Sequence, residues 1–201
     1  MDLITESLGI MMSGEQEIPD VPDGYEQLDY IVCPSFSAQA GFRISETIPS
    51  GTIIDFISAL SESTNSEVAF GGNGSGYTYE FYYETMKCLV WGSTAKDMNN
   101  ISGTNAQINT PYRFIGQIQN ANPSGLNIGY YDVGRLIFKG RIYKVKVYNF
   151  ANMGVGDTEN VLYELYPAKR KSDNKVGMYE RVNGVFYPST TGTDFQAPTA
   201  E

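Results

Sequence analysis

Residues 77 to 84 read Tyr-Thr-Tyr-Glu-Phe-Tyr-Tyr-Glu, the cleanest period-two alternation in the chain. Tyr77, Tyr79, Phe81 and Tyr83 fall on one side, and Thr78, Glu80, Tyr82 and Glu84 on the other. Successive side chains of a β-strand point to opposite faces, so this stretch predicts a strand with one apolar and one solvated face. Similar runs recur at Thr52 to Leu60, Lys87 to Trp91, Tyr112 to Ile118, Leu126 to Tyr131, Leu136 to Phe138 and Arg141 to Phe150. Leu28 to Cys33 alternates as well, and Val161 to Tyr166, Val176 to Tyr179 and Val185 to Tyr187 close the series. The run at 52 to 60 is apolar on both faces and predicts a central strand. Turn signals separate the runs at Asn73-Gly74, Ser102-Gly103, Ser124-Gly125, Lys139-Gly140 and Asn183-Gly184. Many short strands with such punctuation predict an all-β antiparallel sandwich or barrel. The 21 glycines and 15 tyrosines among 201 residues suit turns and sheets respectively.

Residues 1 to 24 follow a different rule. Ile4, Leu8, Met11 and Met12 have the spacing of one helical face, and Gly14, Pro19 and Pro22 then read as a linker. A helix of about ten residues is marginal alone and needs a surface to dock on. The expected organisation is an anchoring arm over residues 1 to 24 and a β-domain over residues 25 to 201. The start Met1-Asp2-Leu3-Ile4-Thr5-Glu6 lacks the basic and apolar runs of a signal peptide. The expectation is synthesis and retention in a cytoplasm, or release by lysis of a host cell.

Charge and residue types narrow the chemistry. Fourteen Lys and Arg against 23 Asp and Glu leave a net charge of −9, which repels nucleic acid and anionic membranes. No apolar stretch is long enough to cross a bilayer. The chain has no histidine, so imidazole acid–base chemistry and Ser-His-Asp or Cys-His nucleophiles are excluded. Glu80 and Glu84 share a strand face, but four residues of strand place them roughly 13 Å apart. Paired glycosidase carboxylates lie about 5 to 9.5 Å apart, so solvated charges are the favoured reading. Asp157-Thr158-Glu159-Asn160 and Ser172-Asp173-Asn174 offer oxygens without calcium-loop spacing, and no metal or cofactor is expected. The glycine loop at 71 to 76 lacks a phosphate-loop ending. Lys169-Arg170-Lys171 reads as a solvated turn between strands. Cys33 and Cys88 read as two separate buried thiols in preference to one bridge.

The aromatic row at 77 to 83 is expected to face the core, and Trp91 is expected to pack. Should any ring stack on a sugar, Trp91 and Tyr82 are the candidates. Near the end, Asn183-Gly184 lies between Val182 and Val185 and predicts a type I′ hairpin turn. In Arg141 to Phe150, Tyr143, Val145 and Val147 are expected on one face, with Lys144 and Lys146 on the other.

Three segments carry a family likeness. VPDGYEQLDYI at 21 to 31 resembles the opening of laminin-G-like, concanavalin-A-like jelly-roll domains. GRIYKVKVYNF at 140 to 150 is similar to their late strand. VLYELYPAKRKSDNKVGMYERVNGVFYPSTTGTDF at 161 to 195 resembles their ending, in which a strand finishes in Pro, a basic turn follows, and an Asn-Gly hairpin leads to a Gly-Thr-x-Phe close. Residues 34 to 135 match only as generic strands. Such domains occur in tailed-phage virion proteins and in surface proteins of gut bacteria. The resemblance implies a two-sheet antiparallel jelly roll in a non-enzymatic virion protein: a head decoration, head fibre or tail-attached component. Ile4, Leu8, Met11 and Met12 would anchor the arm to other virion proteins, with self-association and glycan adhesion as further expectations. The alternatives are a carbohydrate-binding module of a bacterial surface protein and, ranked last, a glycoside hydrolase or lyase.

Overall fold

The computed structural model describes residues 20–34, 40–62, 67–72, 79–84, 86–91, 95–118, 125–132, 135–149 and 161–199. The anchoring positions Ile4, Leu8, Met11 and Met12 lie outside the described residues, as do the turn at Asn73-Gly74 and the acidic stretch at 157–160. Among the described residues the chain is all-β, without a helix.

Sixteen strands follow one another: β1 (Tyr25–Gln27), β2 (Ile31–Cys33), β3 (Phe42–Ile44), β4 (Thr52–Leu60), β5 (Glu67–Gly72), β6 (Tyr79–Glu84), β7 (Lys87–Trp91) and β8 (Ala95–Asp97), then β9 (Tyr112–Ile118), β10 (Leu126–Ile128), β11 (Tyr130–Asp132), β12 (Arg135–Ile137), β13 (Gly140–Asn149), β14 (Val161–Arg170), β15 (Val176–Glu180) and β16 (Val185–Pro188). The large sheet runs β16-β15-β14-β13-β4-β9-β8. β1 and β2 join it alongside β14 and β13. The second sheet runs β3-β10-β5-β6-β7, and β11 and β12 form a separate hairpin. Every pairing between named strands is antiparallel.

One core joins the two sheets. Ile54, Phe56, Phe114, Val145, Val147 and Leu165 from the large sheet meet Phe42, Ile44, Phe70, Leu126 and Ile128 from the other. Phe70 lies 4.8 Å from Phe56 and 5.3 Å from Phe114, ring centre to ring centre. Burying a Phe, Ile or Leu side chain contributes about 1.5–3 kcal/mol each, so this layer is the main source of stability. β4 is the interior strand its double-faced apolarity predicts, with β13 on one side and β9 on the other.

Several boundaries differ from expectation, each for a local reason. The run at 28 to 33 forms no single strand. β1 ends at Gln27, pairing with the last part of β14, and β2 starts at Ile31, pairing with the first part of β13. The run at 126 to 131 breaks at Gly129, whose φ is +84° and whose missing side chain lets the backbone press on Ala40. Lys139-Gly140 is no turn. Gly140 is the first residue of β13, and a Cβ there would strike the Ala59 carbonyl. β14 continues past Tyr166 to Arg170, so Lys169 and Arg170 are strand residues and only Lys171 enters the turn. Pro167 sits where the neighbour of β14 changes from β13 to β1, a position that tolerates a missing N–H. Its carbonyl accepts the Leu28 N–H at 3.0 Å.

Tyr143 also changes face. The pairing of β13 with β4 shifts between Ile142 and Lys144, as at a bulge. Ile142, Val145 and Val147 are fully buried in the core, which puts both Tyr143 and Lys144 on the outward side. Finally, residues 20 to 24 touch the sheet. Val21 is buried against Tyr166 and Ala168. The Lys171 amide bonds the Gly24 carbonyl at 3.0 Å, and its Nζ bonds the Asp23 carbonyl at 2.7 Å.

Candidate functional site

Among the described residues, a group of polar side chains gathers around the buried Glu164 where β14 and β15 meet the N-terminal segment. On β14 the odd positions feed the core through Leu165, so Glu164, Tyr166 and Ala168 point outward. Val21 and Tyr25 pack over that outward face and remove it from water. Glu164 is left 6% exposed, which demands hydrogen-bond partners for its charge. Its Oε1 accepts the Tyr166 hydroxyl at 2.7 Å and the Lys144 ammonium at 3.1 Å. Its Oε2 accepts the Arg181 guanidinium, which reaches on to Asp20 at 3.0 Å. Lys144 and Arg181 both lie over the Tyr166 ring, at 4.6 Å and 5.3 Å from its centre.

The electrostatics follow from this geometry. Burial works against ionising Glu164, but the Tyr166 and Lys144 hydrogen bonds and the Lys144 and Arg181 charges outweigh it, so its carboxyl sits below the ordinary value. The Tyr166 phenol is raised, first by burial and then by the neighbouring Glu164. One group is held as an anion and the other as a neutral phenol, and neither is poised for proton transfer near neutrality.

Glu180 plays a second structural part. It is fully buried, and its carboxylate accepts three backbone N–H groups: Val182 at 2.7 Å, Asn183 at 2.7 Å and Glu164 at 3.2 Å. This corrects the type I′ turn expected at Asn183-Gly184. Residues 181 to 184 form a four-residue loop in which Gly184 has φ +71° and Asn183 does not adopt positive φ. The carboxylate organises the loop from within. On the same inner side, burial pushes the Tyr163 phenol up to about 12, with the Glu46, Tyr187 and Glu180 charges adding to it.

The other flagged groups are also engaged. Asp173 accepts both arms of Arg170, at 3.0 and 2.6 Å, and the Lys175 amide at 3.2 Å. Led by the Arg170 hydrogen bond, these contacts hold its carboxyl at about 2. Among the described residues no three Asp, Glu or Cys side chains are grouped as metal ligands. Cys33 and Cys88 are both buried, and burial pushes the Cys88 thiol up to about 12. No helix is long and apolar enough to cross a membrane among the described residues.

The proposed stacking residues lie on the second sheet. Tyr82 of β6 is paired with Leu89 of β7, and Trp91 of β7 with Glu80 of β6. Strand parity therefore brings positions 82 and 91 to one face, diagonal to each other, and Cys88, a core residue, to the opposite face. Their side chains lie outside the description.

Glu164, Glu180, Lys144, Tyr166, Arg181 and Asp20 were not singled out by sequence reasoning. Two signals point to them in retrospect. Glu164 stands in the middle of the apolar strand Val-Leu-Tyr-Glu-Leu-Tyr, and Glu180 ends a strand two and three residues before the amides it binds. Compared with family models, curated proteins and solved structures, the chain matches none.

Proposed function

We propose that the chain is a non-enzymatic structural protein of a bacteriophage virion, a head decoration, head fibre or tail-attached component that displays a concanavalin-A-like jelly roll. The observation that carries this reading is an adjacency. The three segments that resemble such domains are separated by up to about a hundred residues in sequence, yet they are neighbours in one sheet. Tyr25 of the first pairs with Arg170 of the last, and Ile31 of the first pairs with Ile142 of the middle one. Val21 and Tyr25 share a small apolar cluster with Tyr166, Ala168, Tyr179 and Phe186. A likeness that falls on one contiguous unit supports common architecture better than scattered matches do.

The non-enzymatic part has its own support. The two buried glutamates already serve as a latch and a turn clamp. Glu164 spends both oxygens on side chains of its own sheet, and Glu180 spends its oxygens on backbone amides.

The test uses cells that carry the gene. Particles are banded on a density gradient and probed for the full chain and for a form lacking residues 1 to 19. The full chain is expected in the particle band, and the truncated chain in the soluble fraction with its melting transition intact. Recovery of the full chain only among soluble proteins contradicts the reading.

A carbohydrate-binding module is the second reading, and the shared face of positions 82 and 91 favours it. Base and sugar rings both stack on such aromatic pairs. A glycan array that finds no ligand lost on Trp91→Ala or Tyr82→Ala counts against it.

A further inference from the structure

Asn183 and Gly184 sit in the loop that joins β15 to β16, and every residue from Arg181 to Val185 is exposed. The Asn183 backbone N–H is held by the Glu180 carboxylate at 2.7 Å. The groups beyond it are unengaged. Among the described residues no hydrogen bond involves the Asn183 side-chain amide or the Gly184 N–H. Gly184 stands at φ +71°. Beyond its adjacent residues, the nearest atom to where its Cβ would stand is the Tyr179 hydroxyl, at 3.6 Å. The Gly184 nitrogen is therefore open to the Asn183 Cγ, and glycine carries no side chain to block their approach.

We propose that Asn183-Gly184 is a site of spontaneous deamidation, and that its products loosen the loop between β15 and β16. The Gly184 nitrogen gives its proton to solvent base and bonds to the Asn183 Cγ, closing a succinimide ring. The Cγ–Nδ2 bond breaks, and the side-chain nitrogen leaves with a solvent proton as ammonia. Water then opens the ring. Attack at Cγ breaks the new bond to the Gly184 nitrogen and leaves aspartate. Attack at the Asn183 main-chain carbonyl carbon leaves isoaspartate, with the chain running through Cγ. Net, one amide and one water become one carboxylate and one ammonium ion, with no oxidant or cofactor. Either product puts a negative charge on the residue whose N–H the buried Glu180 carboxylate accepts, and like charges at close range repel. Isoaspartate also adds a methylene to the main chain between the clamped Asn183 N–H and β16. The inference concerns this loop alone and requires neither the virion reading nor the carbohydrate reading.

The experiment ages the full chain at mildly alkaline pH, folded and in urea, and follows the tryptic peptide 182–201. That peptide begins after Arg181 and contains no other asparagine. Aspartyl and isoaspartyl forms are expected to accumulate in it, the isoaspartyl form accepting a methyl group from an isoaspartyl methyltransferase. The folded chain should convert at no less than about a tenth of the rate in urea. The aged chain, measured at neutral pH, should then unfold at a lower urea midpoint than fresh protein. Asn183→Ser, aged alongside, should keep the midpoint of its own fresh sample. Should that variant fold poorly, parent protein stored at mildly acidic pH, where solvent base is scarce, serves as the unconverted control. A peptide that stays amidated in the folded chain while the urea sample converts overturns the proposal. Conversion with the midpoint unchanged overturns the coupling to Glu180.

Discussion

At the scale of single residues, the account turns on two buried glutamates. Glu180 satisfies three amides that would otherwise lack partners, two of them in the loop that joins β15 to β16. Each buried polar group left unpaired costs about 1–3 kcal/mol. Glu180→Ala is therefore expected to destabilise the protein by about 3 kcal/mol or more, read from the shift in urea midpoint at unchanged slope. A midpoint within experimental error of the parent would remove the clamp from the argument. Glu164 gives a pH signature instead. Its folded-state value lies below the ordinary 4.5. A depressed carboxyl adds stability that is fully present above the unfolded value and is lost as pH falls through the folded one. Unfolding followed from pH 7 downward should thus show stability falling below about 4.5. The Glu164→Gln variant should be weaker at pH 7 and show a shallower decline. A parallel decline in both proteins would assign the acid sensitivity to other carboxylates. Neither role was readable beforehand, because Glu164 is covered by the distant N-terminal segment and Glu180 takes amides from β14 as well as from its own loop.

At the scale of elements, period-two patterning was enough to place most strands. The limits of β4, β7 and β9 coincide with their apolar runs, since each is paired along its length. Three of the misreadings share one cause. A glycine marks a special backbone position without saying whether it is a turn, a break or a close approach. Gly140 is a close approach within a strand, Gly129 is a break, and Asn183-Gly184 is a longer loop set by Glu180. Gly125 shows how strict such a position can be. Its φ is +76°, and a Cβ would be driven into the Ile44 carbonyl of the neighbouring strand. The left-handed conformation alone costs an L-residue roughly 1–2 kcal/mol, and the contact adds to it. Gly125→Ala should lower stability by more than about 2 kcal/mol, whereas Gly24→Ala, in open space at negative φ, should be nearly silent. Equal melting of the two variants would contradict the placement of β10 against β3. The Tyr143 face change was equally hidden, because a bulge shifts side-chain parity without altering composition.

At the scale of the whole molecule, the two-layer all-β architecture was legible in the sequence, but the closure of its large sheet was not. β1 and β2 sit beside β14 and β13, so residues from both ends of the described chain hold the same sheet together. Val32 and Gln196 exchange backbone hydrogen bonds at 2.9 and 3.0 Å, which ties the far end of the chain to the same place. Contacts so distant in sequence leave no local signal, whereas alternation within a strand does. The proposal for display on a particle needs this sheet as a rigid platform. Its most direct test is a cross-link between Glu26 and Lys169, which are paired residues of β1 and β14. Paired strand positions meet the Cα separation of about 4.4–6.8 Å that a disulfide requires. In a Glu26→Cys, Lys169→Cys variant, mild oxidation is expected to form one intramolecular bridge and raise the melting temperature. Recovery of reduced monomer, or of intermolecular dimers alone, would contradict the pairing and with it the sheet on which the account stands.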